Sequence, residues 1–227
     1  MVPVIRVCEL TKSFTLHVQG GVTIPVFEKL GLTVEPGECV ALSGPSGVGK
    51  STLLRSLYAN YKPDAGQILV RHRDRWVDMG HAQEQEVLEV RRYTIGFVSQ
   101  FLRVVPRVPC VDIVSEPLRS LGVSAEEARR KAEGLLDLLR IPKRLWNIAP
   151  ATFSGGEQQR INIARSFAAD YPIMLLDEPT ASLDDKNRAA VMELIREAKR
   201  RGAAVVGIFH DDEDCRAVAD RVLEMRQ

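Results

Sequence analysis

Gly44-Pro45-Ser46-Gly47-Val48-Gly49-Lys50-Ser51 is the most informative stretch in this 227-residue chain. It has the spacing G-x-x-x-x-G-K-[ST], which makes a phosphate-binding loop when it joins a strand to a helix. Gly44, Gly47 and Gly49 let the backbone turn so that its N–H groups converge on phosphate oxygens. The flanks supply the required setting. Cys39 to Leu42 reads as a short apolar strand, and Ser51 to Asn60 as a helix with Leu53, Leu54 and Leu57 on one side. The helix starting near Lys50 aims its positive dipole end at the loop. Pro45, Ser46 and Val48 complete the loop. Lys50 supplies a point charge for β- and γ-phosphates, Ser51 a hydroxyl for Mg²⁺, and Thr52 is a candidate second contact.

Downstream, Ile173-Met174-Leu175-Leu176-Asp177-Glu178 is an apolar strand ending in two acids. A buried strand does not readily carry a carboxylate, so the charge falls where the strand exits. In a parallel α/β sheet that edge is the ligand crevice. Asp177 is then a Mg²⁺ ligand, and Glu178, one residue on, is placed to polarise an attacking water.

The surrounding pattern is α/β. Val4 to Val7, Val18 to Val26, Thr94 to Ser99 and Ala203 to Phe209 read as strands, and Gln67 to Met79 as a hairpin. Ala82 to Arg92, Glu157 to Ala169, Asn187 to Arg201 and Cys215 to Asp220 read as helices. Glu35 to Glu38 and Lys62 to Gly66 are turn chemistry. Between Phe101 and Thr152 strands are lacking and five prolines recur; Ser124 to Arg140 is an amphipathic helix capped by Ser124. The expected organisation is one domain over 1–227, with a mostly parallel core sheet, an antiparallel β subdomain and a helical lobe inserted at about 101–152.

Composition narrows the class. Hydrophobic residues make up 45% and charged residues 27%, with a formal net charge of +1. That supports a sizeable core and gives no global pull toward nucleic acid. Arg71-His72-Arg73 and Lys199-Arg200-Arg201 are expected to be solvated faces. His17, His72 and His81 have no ligand spacing and are read as surface residues. Cys8, Cys39, Cys110 and Cys215 form no CxxC pair and read as small buried apolar residues of a reduced, cytoplasmic protein. No stretch approaches the ~20 apolar residues a membrane helix needs, and the N-terminus lacks a signal-peptide pattern. Any membrane role would pass through a separate subunit.

Thr152-Phe153-Ser154-Gly155-Gly156-Glu157-Gln158-Gln159-Arg160 resembles the signature motif of ATP-binding cassette proteins, a branch of the phosphate-loop NTPases. Ser154, Gly155 and Gly156 open a helix at Glu157, a second anion-binding helix start. The resemblance implies Mg-ATP as ligand and a second cassette as partner, each signature closing on the γ-phosphate held by the other loop. Further elements of that family fall in order. Gln100 matches the glutamine that senses Mg²⁺ or water. Ser182-Leu183-Asp184 matches the loop lying across the dimer seam. His210 matches the γ-phosphate-contacting histidine, and Phe14 an adenine-stacking aromatic. Catalysis would then rest on Lys50, Glu178 and His210. Glu157 stands where glutamine is usual, and Phe153 where leucine is usual.

Four unusual stretches are similar to the PhnL family, the cassette subunits of bacterial carbon–phosphorus lyase systems. They are Leu53 to Tyr61, Val98 to Val104, Arg144-Leu145-Trp146 with Ala149-Pro150, and Val206 to Asp211. That resemblance implies a soluble enzyme core as partner, in a system that transfers ribose triphosphate from ATP to a phosphonate. The rival is the ATPase subunit of a lipoprotein-releasing or macrolide-type membrane exporter. A DNA-repair or chromosome-structure ATPase is disfavoured, because only a short helical segment separates Lys50 from Ser154.

Overall fold

The computed structural model describes residues 2–16, 21–99, 107–181 and 183–226. Among these residues, two sheets carry the fold. Four strands make an antiparallel sheet, β1 (Ile5–Leu16), β2 (Val22–Val34), β4 (Ala65–His72) and β5 (Arg75–Asp78), in the order β2-β1-β4-β5. The other five are β3 (Cys39–Ser43), β6 (Ile95–Val98), β7 (Ile173–Asp177), β8 (Ala204–Ile208) and β9 (Arg221–Glu224). They form a parallel sheet ordered β6-β7-β8-β3-β9. The helices are α1 (Lys50–Leu57), α2 (Glu84–Tyr93), α3 (Cys110–Ser120), α4 (Ala125–Leu138), α5 (Gly155–Phe167), α6 (Asp185–Arg200) and α7 (Asp212–Val218). The expected α/β architecture, with parallel core, antiparallel sheet and helices, is the one observed.

The strand period places the core on both faces of the parallel sheet. In β7, Ile173 and Leu175 pack with α1 and the antiparallel sheet, whereas Met174 and Leu176 pack with α3 to α6. Every β7 residue is buried, as a continuous apolar run in a parallel sheet requires. Leu53, Leu54 and Leu57 of α1 are buried as their spacing predicts. Ser124 caps α4 by accepting from the Glu127 N–H at 3.3 Å.

Several expectations need correction. β1 runs far beyond Val7, because pairing with β2 and β4 on its two sides extends it to Leu16. Helix α3, not delimited in the sequence reading of this proline-punctuated segment, spans Pro117. A proline late in a helix forfeits one donor, and burial of Cys110, Val111, Ile113, Val114 and Leu118 holds the helix. Strand β9 was not foreseen: Arg221 and Val222 are exposed, and its pairing with β3 is purely tertiary. Helix α7 starts at Asp212 instead of Cys215, because Asp211 caps it by accepting from Glu213 N–H. His72 is not on the surface. It is buried, with Nδ1 2.6 Å from Thr94 Oγ1 and Nε2 3.6 Å from Glu89. Cys39 and Cys110 are buried as expected, but Cys8 is exposed and Cys215 only half-buried. Burial pushes the Cys39 thiol up to about 12, so it is inert at neutral pH.

Candidate functional site

The carboxyl edge of the parallel sheet carries part of the sequence-predicted set: the phosphate loop, Asp177, Glu178 and His210. β3 ends at Ser43 and runs into the phosphate loop, β7 ends at Asp177, and β8 ends two residues before His210. Asp177 is in register with Ile208, and the Glu178 N–H donates to the Ile208 carbonyl at 3.1 Å. Gln100 follows β6 but lies outside the described residues, as does Ser182.

Within the loop, Pro45, Ser46 and Gly47 are exposed, while the Val48 side chain is buried and anchors the turn. Val48 therefore has only main-chain atoms to offer a phosphate. Gly44 and Gly49 hold φ of +139° and +105°. A Cβ on Gly49 would lie 2.4 Å from Val26 Cγ1 and one on Gly44 2.5 Å from the Met225 carbonyl, so glycine is required at both. Gly49→Ala is expected to cost roughly 2–3 kcal/mol of stability from strain and overpacking. Urea titration of parent and variant checks this. Lys50 Nζ donates to the Gly44 and Pro45 carbonyls at 2.6 and 3.0 Å, which folds its charge over the loop.

Ser51 Oγ donates to Asp177 Oδ1 at 2.9 Å. This pair joins the start of α1 to the end of β7, 126 positions apart. Two hard oxygen donors at a phosphate loop are the donor set Mg²⁺ takes. Burial pushes the Asp177 carboxyl above the usual carboxylate range, the Ser51 hydroxyl and Arg55 opposing it. Glu178 is half-buried and holds φ +52°, a left-handed conformation rare for a non-glycine residue. Such conformers persist where surrounding structure imposes them, often at active sites. His210 is exposed at the next strand exit.

Ser154 and Glu157 form a reciprocal cap at the start of α5. The Ser154 N–H and Oγ donate to Glu157 Oε2 at 2.9 and 2.8 Å, and the Glu157 N–H donates to Ser154 Oγ at 3.3 Å. Those bonds hold the Glu157 carboxyl below the usual carboxylate range. Ser154 and Gly155 are exposed, Gly156 is half-exposed, and the Ser154–Glu157 bonds stay within their own turn instead of reaching the phosphate loop. Phe14 lies on β1 with its ring edge-on to Tyr61 at 5.2 Å and Lys12 Nζ 5.2 Å from its centroid. Both neighbours lie outside the phosphate loop.

Two features were not found from sequence. One is a cleft of about 1040 Å³ between α2, β6, α3 and α5, with Tyr58, Phe97 and Tyr171 in its lining and Arg55, Arg91, Arg92 and Arg165 around them. Leu88 faces it although 62% exposed. The other is a buried carboxylate, Asp214, bonded to Thr180 and Arg188.

A strand–loop–helix phosphate cradle beside a strand-end Asp-Glu pair defines a phosphate-loop NTPase. The family model described as ABC transporter matches residues 27–181, and the chain belongs to that family as one of its ATP-binding cassette ATPases. ATP and Mg²⁺ are accordingly its cofactors. It is 39% identical over 204 residues to the lipoprotein-releasing system ATP-binding protein LolD 2 of Caulobacter vibrioides, covering 89% of this chain and 87% of that one. It is also 39% identical over 209 residues to an uncharacterized ABC transporter ATP-binding protein of Mycobacterium tuberculosis, covering 92% of this chain. The chain spans only 62% of the length of that relative. A dimeric ATP-binding cassette solved in a post-hydrolysis state with ADP and Pi superposes with a TM-score of 0.87 at 30% identity, over 98% of this chain and 94% of that one. Among the described residues, no helix is long and apolar enough to cross a membrane.

Proposed function

We propose that the chain is the ATPase subunit of a carbon–phosphorus lyase system, hydrolysing Mg-ATP as one member of a cassette pair. In this reading residues 1–227 are a single cassette, with about 101–152 as its inserted helical lobe. The backbone of Gly44 to Gly49 and the Lys50 ammonium hold the β- and γ-phosphates. Ser51 and Asp177 would hold Mg²⁺, and Gln100, by the family resemblance, would sense the metal or the water. When bound there, the metal would supply positive charge to offset the negative charge of the phosphates. Thr52 adds a polar contact at the start of α1, and Phe14 stacks on adenine. Glu178 orients the attacking water, and His210 contacts the γ-phosphate. Ser154, Gly155, Gly156 and Glu157 serve the nucleotide of the opposite cassette, which fits their exposure and their distance in sequence from the loop.

The observation that carries the lyase assignment is where the distinguishing residues fall. Arg55, Tyr58, Asn60 and Tyr61, from the first of the subgroup-like stretches, line the cleft and not the phosphate loop. They therefore bear on which partner docks, while the loop chemistry is common to all cassettes. The chain supplies a nucleotide-driven conformational step, and a soluble partner core carries out ribose-triphosphate transfer to the phosphonate. A second reading, the ATPase of a membrane exporter, is favoured by the lipoprotein-releasing relative. Affinity purification of the tagged chain from phosphate-starved cells separates them: soluble phosphonate-processing subunits support the first reading, and a permease replaces it with the second. Leu88→Glu places a charge on an exposed apolar side chain in the cleft. It is expected to abolish partner recovery while ATP turnover of the isolated chain stays within about twofold, since surface substitutions are typically near-neutral for folding.

A further inference from the structure

We propose that Asp214 and Arg188 are a positioning pair that locks the turn carrying Glu178 to the strand exit carrying His210, and so set turnover instead of nucleotide affinity. The inference rests on the ATPase reading above. Asp214 is 4% exposed and lies on α7. Its Oδ2 accepts from Thr180 Oγ1 at 2.7 Å and its Oδ1 from Arg188 Nε at 2.6 Å. The same guanidinium reaches Asp211 Oδ2 at 3.0 Å through Nη2. Thr180 lies two residues after Glu178, and Asp211 directly follows His210. One carboxylate and one guanidinium thus tie together the exits of β7 and β8 and the start of α6.

The left-handed Glu178 explains why such a tie is needed. Its backbone is pinned on one side by the Ile208 carbonyl and closed on the other by the Ala181 N–H, which donates to the Glu178 carbonyl at 3.2 Å. Thr180, within that turn, is the point where Asp214 holds it. A charged hydrogen bond in a buried setting is directional and strong, so it fixes the turn more tightly than packing does. Loosening it shifts Glu178 relative to His210 and leaves the phosphate loop untouched.

The test is steady-state Mg-ATP hydrolysis by the full chain, with melting temperatures measured alongside. Asp214→Asn keeps the shape and removes the charge. It is expected to lower kcat by ~10- to ~100-fold with KM within about twofold, the scale of a small misplacement of reacting groups. Thr180→Val cuts only the turn's arm and leaves the Arg188 pair intact. It should lower kcat likewise, and the double variant should be no worse than the stronger single. Arg188→Lys should recover part of the rate lost in Arg188→Met. The proposal is overturned if Thr180→Val turns over like the parent, if KM rises in step with the fall in kcat, or if the loss follows the melting temperature. A parent chain without any ATPase activity would instead sink the underlying reading.

Discussion

Glu178→Gln is expected to lower ATP turnover by ~10²-fold or more while ATP stays bound and the chain elutes as a dimer. The amide keeps the size of the side chain and the backbone bond to Ile208, so the fold around β7 and β8 is preserved. It removes the acceptor strength needed to polarise water. The two readouts must move in opposite directions: hydrolysis falls and ATP-dependent dimerisation rises on a sizing column. A variant hydrolysing at the parent rate would remove Glu178 from the reaction and with it the assignment of the β7 exit.

Asp177→Asn is expected to abolish Mg²⁺-dependent hydrolysis, by ~10²-fold or more, yet to raise the melting temperature of the metal-free chain. The sign follows from burial, which raises the Asp177 pKa above its ordinary value. A carboxyl raised in the folded state favours folding below its unfolded pKa, and that contribution is lost as pH rises through the folded value. At neutral pH the ionised Asp177 is therefore a cost to the metal-free fold, and asparagine removes it. The ligand form is the deprotonated one, so Mg²⁺ must displace the proton that burial favours, and hydrolysis by the parent at limiting Mg²⁺ should weaken as pH falls. Calorimetry with and without Mg-ATP, and a pH–rate profile, check both halves. A variant less stable than the parent without metal would show that the Ser51 bond outweighs the desolvation.

Most of the candidate site was readable because its signals are local. The phosphate loop is contiguous, and the apolar run before Asp177 announces a strand buried on both faces. What escaped depends on distant pairs. Thr180 and Asp214 are 34 positions apart, and neither sits in a pattern that marks it as buried. His72, flanked by two arginines, reads as surface; only the fold brings Thr94 and Glu89 to it. Prolines between Phe101 and Thr152 concealed α3, whose apolar contacts outweigh the missing donor of Pro117. Strand β9 has no pattern of its own, since its register is dictated by β3. Gln100 and Ser182, legible only by resemblance, lie outside the described residues.

The neighbours of β3 have a consequence for biosynthesis. Its phosphate loop leaves the ribosome early, yet the Cys39 N–H finds its acceptor on Asp220, 181 positions later. At ~5–20 residues per second the delay is roughly 10–35 s, during which an apolar strand waits without its lateral partners β8 and β9. The nascent chain can thus carry every residue of the loop and still lack the scaffold that shapes it, and chaperone capture in that interval would protect the unpaired edge.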